Sequence, residues 1–419
     1  MTQVSSKRSG NGPFSGLRVI DFTHVLAGPA CAYFLSSLGA DVIKVETVGR
    51  GDSTRFRGGT DGERSSAGLS TAFLTQGGGK RSIAIDIADP QGYEVMKKLL
   101  QSADVFVENH RPSLLKLLRL EYETVAAINP KIIHCAMTGY GRNGPKADAP
   151  AYDVNIQAAC GLMTMTGEPG SGPTRTGAPI MDYGTALSAG FAIASALFQR
   201  TQTQEGTFID VSMLETAMTL MSSTVTDFLA TGNAPVKRGN AANSRSPAAG
   251  SFPTGDGMLS LGINEEHQFQ ALADVLVRSE WKTDPRFADR PARAKNAEVL
   301  ESLLTAALAE RSAKEWESAL LAAGVPAAYV RRLPEALEDP QITSRHFLHN
   351  PGGDEAVSVT VPSLPFRIGE AEVHAPDLNP PRRGEHSVEI LHELAIDENH
   401  IQNLLSQNII EQSSAPLGQ

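Results

Sequence analysis

The stretch Leu17-Arg-Val-Ile-Asp-Phe-Thr-His-Val-Leu-Ala-Gly-Pro29, read together with Asp41-Val-Ile-Lys-Val-Glu46, decides the fold. Residues 17–23 carry the composition of a strand. Residues 30–38 read as a helix closed by Gly39, and residues 41–46 as a second strand. Strand, helix and strand at this spacing make a βαβ unit, which implies a parallel sheet. Further strands are expected at 80–86, 104–109, 131–137 and 205–212. Helices are expected at 90–103, just after Pro112, at 122–128 and at 213–230, with a long polar loop at 49–68. The class is α/β, with a large Rossmann-like domain. The first turn carries only Gly28 where a dinucleotide fingerprint needs G-x-G-x-x-G. Gly77-Gly-Gly-Lys-Arg81 lacks the early glycine and the hydroxyl residue of a phosphate loop. The architecture is therefore Rossmann-like without a Rossmann cofactor.

Outward from this core, residues 1–16 are polar and read as a disordered leader. Residues 17–225 form the first part of the large domain. The composition then turns to Gly, Asn, Ser and Pro over 232–253, and 256–324 reads as a small α/β segment with helices near 265–277, 297–310 and 313–323. Linker and small domain are assigned to 226–325. The return to the large domain is assigned to 326–419, with a closing helix that begins at 384–391.

With 419 residues, 41% hydrophobic and 20% charged, the chain has an ordinary globular composition. A net charge of −10 leaves no basic face for nucleic acid. Cys31, Cys135 and Cys160 share no metal-ligand spacing, and their odd number fits a reducing cytoplasm. The apolar run at 186–198 is too short and too rich in alanine to span a bilayer. Cytoplasmic location, no metal and no membrane partner are the expectations.

A second stretch, Thr176-Gly-Ala-Pro-Ile-Met-Asp182-Tyr-Gly-Thr185, precedes a helical stripe of Leu187, Phe191, Ala194 and Phe198. Asp182 stands where the positive end of that helix favours a carboxylate, and free backbone N–H groups there could bind developing negative charge. On these residues alone, Asp182 reads either as an N-cap or as a reactive group.

Several segments together resemble the family III CoA-transferases, of the CaiB/BaiF type that includes formyl-CoA and carnitine CoA-transferases. They are 17–29, 38–46, Gly51-Asp52, Lys80-Arg-Ser-Ile83, 104–109, Arg111-Pro112, Tyr152, 177–184, Asp210-Val-Ser212, Phe252-Pro-Thr254 and Gly384-Glu-His386. The resemblance runs in the family's order from about residue 16 to 391. It implies an acyl-CoA:carboxylate CoA-transferase in which Asp182 is the nucleophile, working through an aspartyl anhydride and an enzyme–CoA thioester. CoA thioester is then a substrate, with no tightly held cofactor. An interlocked homodimer is implied as well. Tyr152 and Leu26 take positions beside the nucleophile. The CoA site would comprise His24, Val25, Ala27, Thr47, Arg50, Ile85, Asn109, His110 and Lys116, with Arg81 and Arg111 as cations for phosphate. A lid would fall at 238–251. The alternative within the same resemblance is an α-methylacyl-CoA racemase. That reaction needs two opposed acid/base groups, and Tyr152 stands where the racemases carry a histidine.

Overall fold

The computed structural model describes residues 12–413 apart from 243, 245, 353–354, 356, 370 and 373–376. Six parallel strands form the main sheet: β1 (Arg18–Phe22), β2 (Asp41–Glu46), β3 (Arg81–Ile85), β4 (Val105–Glu108), β5 (Ile133–Thr138) and β6 (Thr207–Ser212). Their order is 3-2-1-4-5-6, the doubly wound arrangement expected of a Rossmann-like sheet. A short strand, Ile410–Glu411, adds antiparallel to the β3 edge, with Ile410 opposite Ile85. At the centre, Ile20 stands opposite Ile43 on one side and Phe106 on the other.

The alternation of β1 explains both covering layers. Ile20 and Phe22 face helices Pro90–Ser102, Ser387–Glu393 and Glu398–Ser406, which contribute Met96, Leu99, Leu391 and Leu404. Val19 faces the other layer, where helices Ala27–Ser37 and Ile180–Thr203 supply Ala30, Cys31, Leu35, Ala186, Ala189 and Ile193. Small residues dominate this second layer, so the two helices approach each other closely. By length and composition the 24-residue helix Ile180–Thr203 could cross a bilayer. Its alanine-rich face lies in the core of the unit, against β5 and β6.

Two compact units are present. The first collects residues up to Cys160, Thr176–Gly232 and Thr343 onward. The second collects Gly161–Arg175 and Asn233–Ile342. The second has a three-stranded antiparallel meander of Ala249–Pro253, Met258–Gly262 and Ala327–Tyr329. Its core is built on Leu259, Phe269, Leu300, Leu304, Trp316 and Leu320.

Several expected boundaries move. Strand Ala327–Tyr329 pairs with Leu259–Leu261, which carries the return point from 326 to 343. Residues 161–175 also leave the first unit for the second. Helix 213–230 breaks at Met221 into Met213–Leu220 and Ser222–Thr231. Of the expected leader, residues 1–11 lie outside the described residues. Residues 12–16 form a turn that docks on the fold, with the Phe14 N–H donated to the Leu38 carbonyl at 2.8 Å. In the expected lid, 243 and 245 lie outside the described residues, and 249–251 belong to a strand of the second unit.

Arg81 is the clearest correction. It begins β3, at the end of the sheet where the strands start, and its side chain is buried. Its guanidinium bonds both Asp41 oxygens at 2.9 and 2.7 Å, Glu393 at 2.7 Å and Glu389 at 3.1 Å. Arg18 shares Asp41 and Glu393 with it. Removing one member of such a cluster strands buried charge. Arg81→Met should therefore lower the unfolding free energy of this unit by about 3–5 kcal/mol in urea titrations. The CoA binding that the resemblance implies should be the same in the folded fraction as in the parent; weakened binding without loss of stability would return Arg81 to the phosphate site.

Candidate active site

In doubly wound sheets, ligands bind beyond the carboxyl ends of the strands, where the winding reverses. Here that point lies between β1 and β4, and a cavity of about 460 Å³ occupies it. The loops after β1, β2, β4 and β5 form its walls, and Asp182 reaches it from the first turn of helix Ile180–Thr203.

Pro179, which fixes its own φ and lacks a donor, starts that helix, so Asp182 lies inside the first turn and is not its cap. Asp153 does the capping: its carboxylate accepts the Met181 N–H at 2.7 Å and, more weakly, the Asp182 N–H at 3.4 Å. The Ile180 N–H is donated to the Ala178 carbonyl. The free helix N–H groups expected for developing charge are therefore already occupied. Asp153 is itself held by the Gln157 amide at 2.6 Å, and Gln157 accepts the Thr176 N–H at 2.9 Å. Both side chains are buried, so the approach to the helix is fixed from beneath.

The two carboxylates divide their roles. Asp153 has hydrogen-bond donors, whereas the Asp182 carboxylate accepts none among the described residues. Burial, followed by the charge of Asp153, pushes Asp182 up to about 7. A desolvated carboxylate of raised basicity in a cleft is a nucleophile or base in waiting.

The turn after β1 forms one wall. Val25 sits at φ 69°, an unusual conformation for a β-branched residue. Gly28 is required because a Cβ there would lie 2.4 Å from Thr23 Cβ. The Asn109 carboxamide grips His24 on both backbone sides, accepting its N–H at 2.9 Å and donating to its carbonyl at 2.8 Å. The His24 and His110 rings stack at 4.9 Å. Burial lowers both, His110 to about 3, helped by His24, Lys44 and Arg142. Both imidazoles are thus neutral near pH 7.

Of the expected residues, the structure brings together His24, Val25, Leu26, Ala27, Thr47, Asn109, His110, Arg111, Tyr152 and Asp182 around the cavity. Tyr152 is 64% exposed, so its ring is free to meet a ligand. Arg50 is exposed in the turn between Thr47 and Gly51, at the rim. Three expectations fail. Arg81 is at the opposite end of the sheet, the Ile85 side chain is buried in the core, and Lys116 points to solvent outside the cavity lining. Sequence reasoning missed Ser53, Met137, Met213 and residues 149–151 in the wall, and Gln157 and Asp52 behind it. Asp52 stood in the quoted Gly51-Asp52 pair, and an acid in a strand-end loop was the available signal.

Among the described residues there is no cluster of His, Cys, Asp or Glu able to hold a metal ion. Comparison with known proteins agrees with the geometry. Residues 14–387 match CoA-transferase family III. The chain is 36% identical to acetyl-CoA:oxalate CoA-transferase of Acetobacter aceti, over 88% of this chain and 92% of that protein. It is 34% identical to succinyl-CoA:glutarate CoA-transferase of Mus musculus, over 96% and 91%. The crystal structure of a CaiB/BaiF family protein from Brucella suis superposes with a TM-score of 0.81 at 33% identity, covering 92% of this chain and all of that one. The chain belongs to CoA-transferase family III, and it is an enzyme of that family.

Proposed function

We propose that the protein moves CoA from an acyl-CoA donor to a carboxylic acid acceptor, with Asp182 as the nucleophile. The observation that carries this is a carboxylate with no donor among the described residues, raised to about 7, in the cavity at the switch point of the sheet. The Asp182 oxygen attacks the thioester carbonyl, the C–S bond breaks, and a mixed anhydride and CoA thiolate result. The thiolate then attacks the aspartyl carbonyl, forming an enzyme–CoA thioester and releasing the donor acid. The acceptor carboxylate repeats the two steps in reverse, and Asp182 is regenerated. Each exchange joins groups of similar energy, so the protein's task is to hold them close and keep water out.

Val25, Ala27, Thr47, Asn109 and His110 line the course taken by CoA, with Arg111 and Arg50 as the cations for its phosphates. Leu26 and Tyr152 close around the reacting carbonyl. CoA thioester is a substrate in this scheme, with no tightly bound cofactor. The relatives' names, one an oxalate and the other a glutarate transferase, support carboxylic acids as acceptors. Buried free cysteines at 31, 135 and 160 fit a cytoplasmic enzyme.

The working form in this reading is an interlocked homodimer. Helix Ile180–Thr203 turns Leu187, Phe191 and Phe198 outward at 49%, 78% and 68% exposure, and Leu220 and Leu229 on the next two helices are exposed as well. A second copy of the chain is the occupant that would cover it. Sedimentation velocity should show a dimer, and Phe191→Glu with Phe198→Glu should give monomers; a parent that sediments as a monomer would refute this part.

The primary test is mass spectrometry after mixing with acetyl-, succinyl- and aromatic acyl-CoA, with hydroxylamine as trap. An adduct on Asp182, absent in Asp182→Asn, is expected. Deuterium exchange at the α-carbon of a branched acyl-CoA without any adduct would install the racemase in its place.

The raised carboxyl also fixes two pH responses. The nucleophile must be ionised, so kcat/KM should rise with pH through about 7 and then level. Stability takes the opposite sign. A carboxyl raised by folding is protonated more readily in the folded state, so its contribution falls between about pH 4 and 7. At pH 8, Asp182→Asn should stabilise the protein by about 1–3 kcal/mol, measured by urea unfolding.

A further inference from the structure

The turn His24–Ala27 is held in place by a carboxylate that does not itself line the cavity. The Asp52 Oδ1 accepts the Val25 N–H at 3.3 Å, together with the Thr54 N–H at 2.9 Å and the Thr54 hydroxyl at 2.8 Å. Its other oxygen pairs with the buried Lys44 ammonium at 3.1 Å. Lys44 in turn donates to the Thr23 carbonyl at 2.9 Å, just before the turn. Asp52 is also anchored from the β2 side, because its own N–H is donated to Glu46, which Arg55 holds. The side chains of Asp52 and Lys44 are each 1% exposed. A chain of buried charge therefore runs from the end of β2 to the one residue of the turn with positive φ.

Valine resists the left-handed conformation because its branched Cβ crowds the following carbonyl. Held at φ 69°, it turns the next residues, Leu26 and Ala27, into the cavity wall. Left to itself the segment would relax toward extended or right-handed backbone and carry that wall away from the ligand.

We propose that Asp52 is a positioning residue for CoA: its carboxylate holds Val25 in the left-handed conformation and so keeps the His24–Ala27 wall in its binding shape. This rests on the reading that the cavity takes CoA thioester.

The test uses the full-length protein and CoA itself as probe, by titration calorimetry. Asp52→Ala, which removes the oxygen that accepts the Val25 N–H, should weaken CoA binding about tenfold, the equivalent of releasing the strain of one left-handed residue. Glycine adopts positive φ freely. Adding Val25→Gly to Asp52→Ala should therefore restore binding to within about threefold of Val25→Gly alone. The thermal midpoint should stay lowered in both variants, since Lys44 has lost its partner in each. A merely structural Asp52 would show no such rescue. Unchanged CoA binding in Asp52→Ala, or a double variant as weak as the single one, would overturn the proposal. Should Asp52→Ala fail to fold, Asp52→Glu keeps the charge, displaces the oxygen, and is judged by the same rescue. If the parent itself does not bind CoA and shows no adduct on Asp182, the functional reading fails with it; if it does both, only the role of Asp52 is in question.

Discussion

Two carboxylates close together in a desolvated cleft cannot both be ionised without cost, and the site is arranged around that constraint. Asp153 receives the donors: the first backbone N–H groups of helix Ile180–Thr203 and the Gln157 amide. Asp182 receives none among the described residues, and it rises toward neutrality. Environments that push apart two chemically identical groups commonly assign them different roles. Here one fixes the helix and the other is left with a raised pKa. Gln157 is the hinge of the arrangement, since it ties Asp153 to Thr176 and thereby sets where the helix begins.

The sheet turns this local device into a site. Its C-terminal edge gathers loops from β1, β2, β4 and β5 around one cavity, while the ion cluster of Arg18, Asp41, Arg81 and Glu393 closes the opposite end. Two groups of buried charge thus stand at opposite ends of the sheet. Those at the strand starts bind one another and hold the last helices to the sheet. Those at the strand ends, Lys44 with Asp52 and Lys80 with Asp21, support the turn that forms a cavity wall. Burial works against the charge of Asp52, yet Lys44 and the Thr54 donors hold it down at about 2, so it is ionised throughout the working range.

Strain and exposure recur near the reactive group. Val25 is held in a conformation valine disfavours, the Asp182 carboxylate has no donor among the described residues, and Tyr152 stands largely in solvent. A sequence chosen only for stability would relax all three. The apolar outer face of helix Ile180–Thr203 belongs with them, because one helix carries core residues on one side and Phe191 and Phe198 on the other.

The sequence by itself determined the α/β class and the strand succession. These depend on local pattern: strands buried on both faces read as apolar runs, and loops after strands read as Gly, Pro and polar residues. Asp182 was also singled out, through a motif matched in order with its neighbours. The tertiary structure alone decided which charges meet. Arg81 reads as a phosphate cation in a basic motif, yet Asp41, Glu389 and Glu393, up to 312 residues away, claim it at the wrong end of the sheet. Strand Ala327–Tyr329 reads as the return to the large domain until its hydrogen bonds to Leu259–Leu261 assign it to the small one. Asp182 looks like a cap until Asp153, 28 residues before Met181, takes the N–H groups. Pattern along the chain reports burial and periodicity; the pairing of polar groups is a contest among distant residues, and only the folded chain decides it.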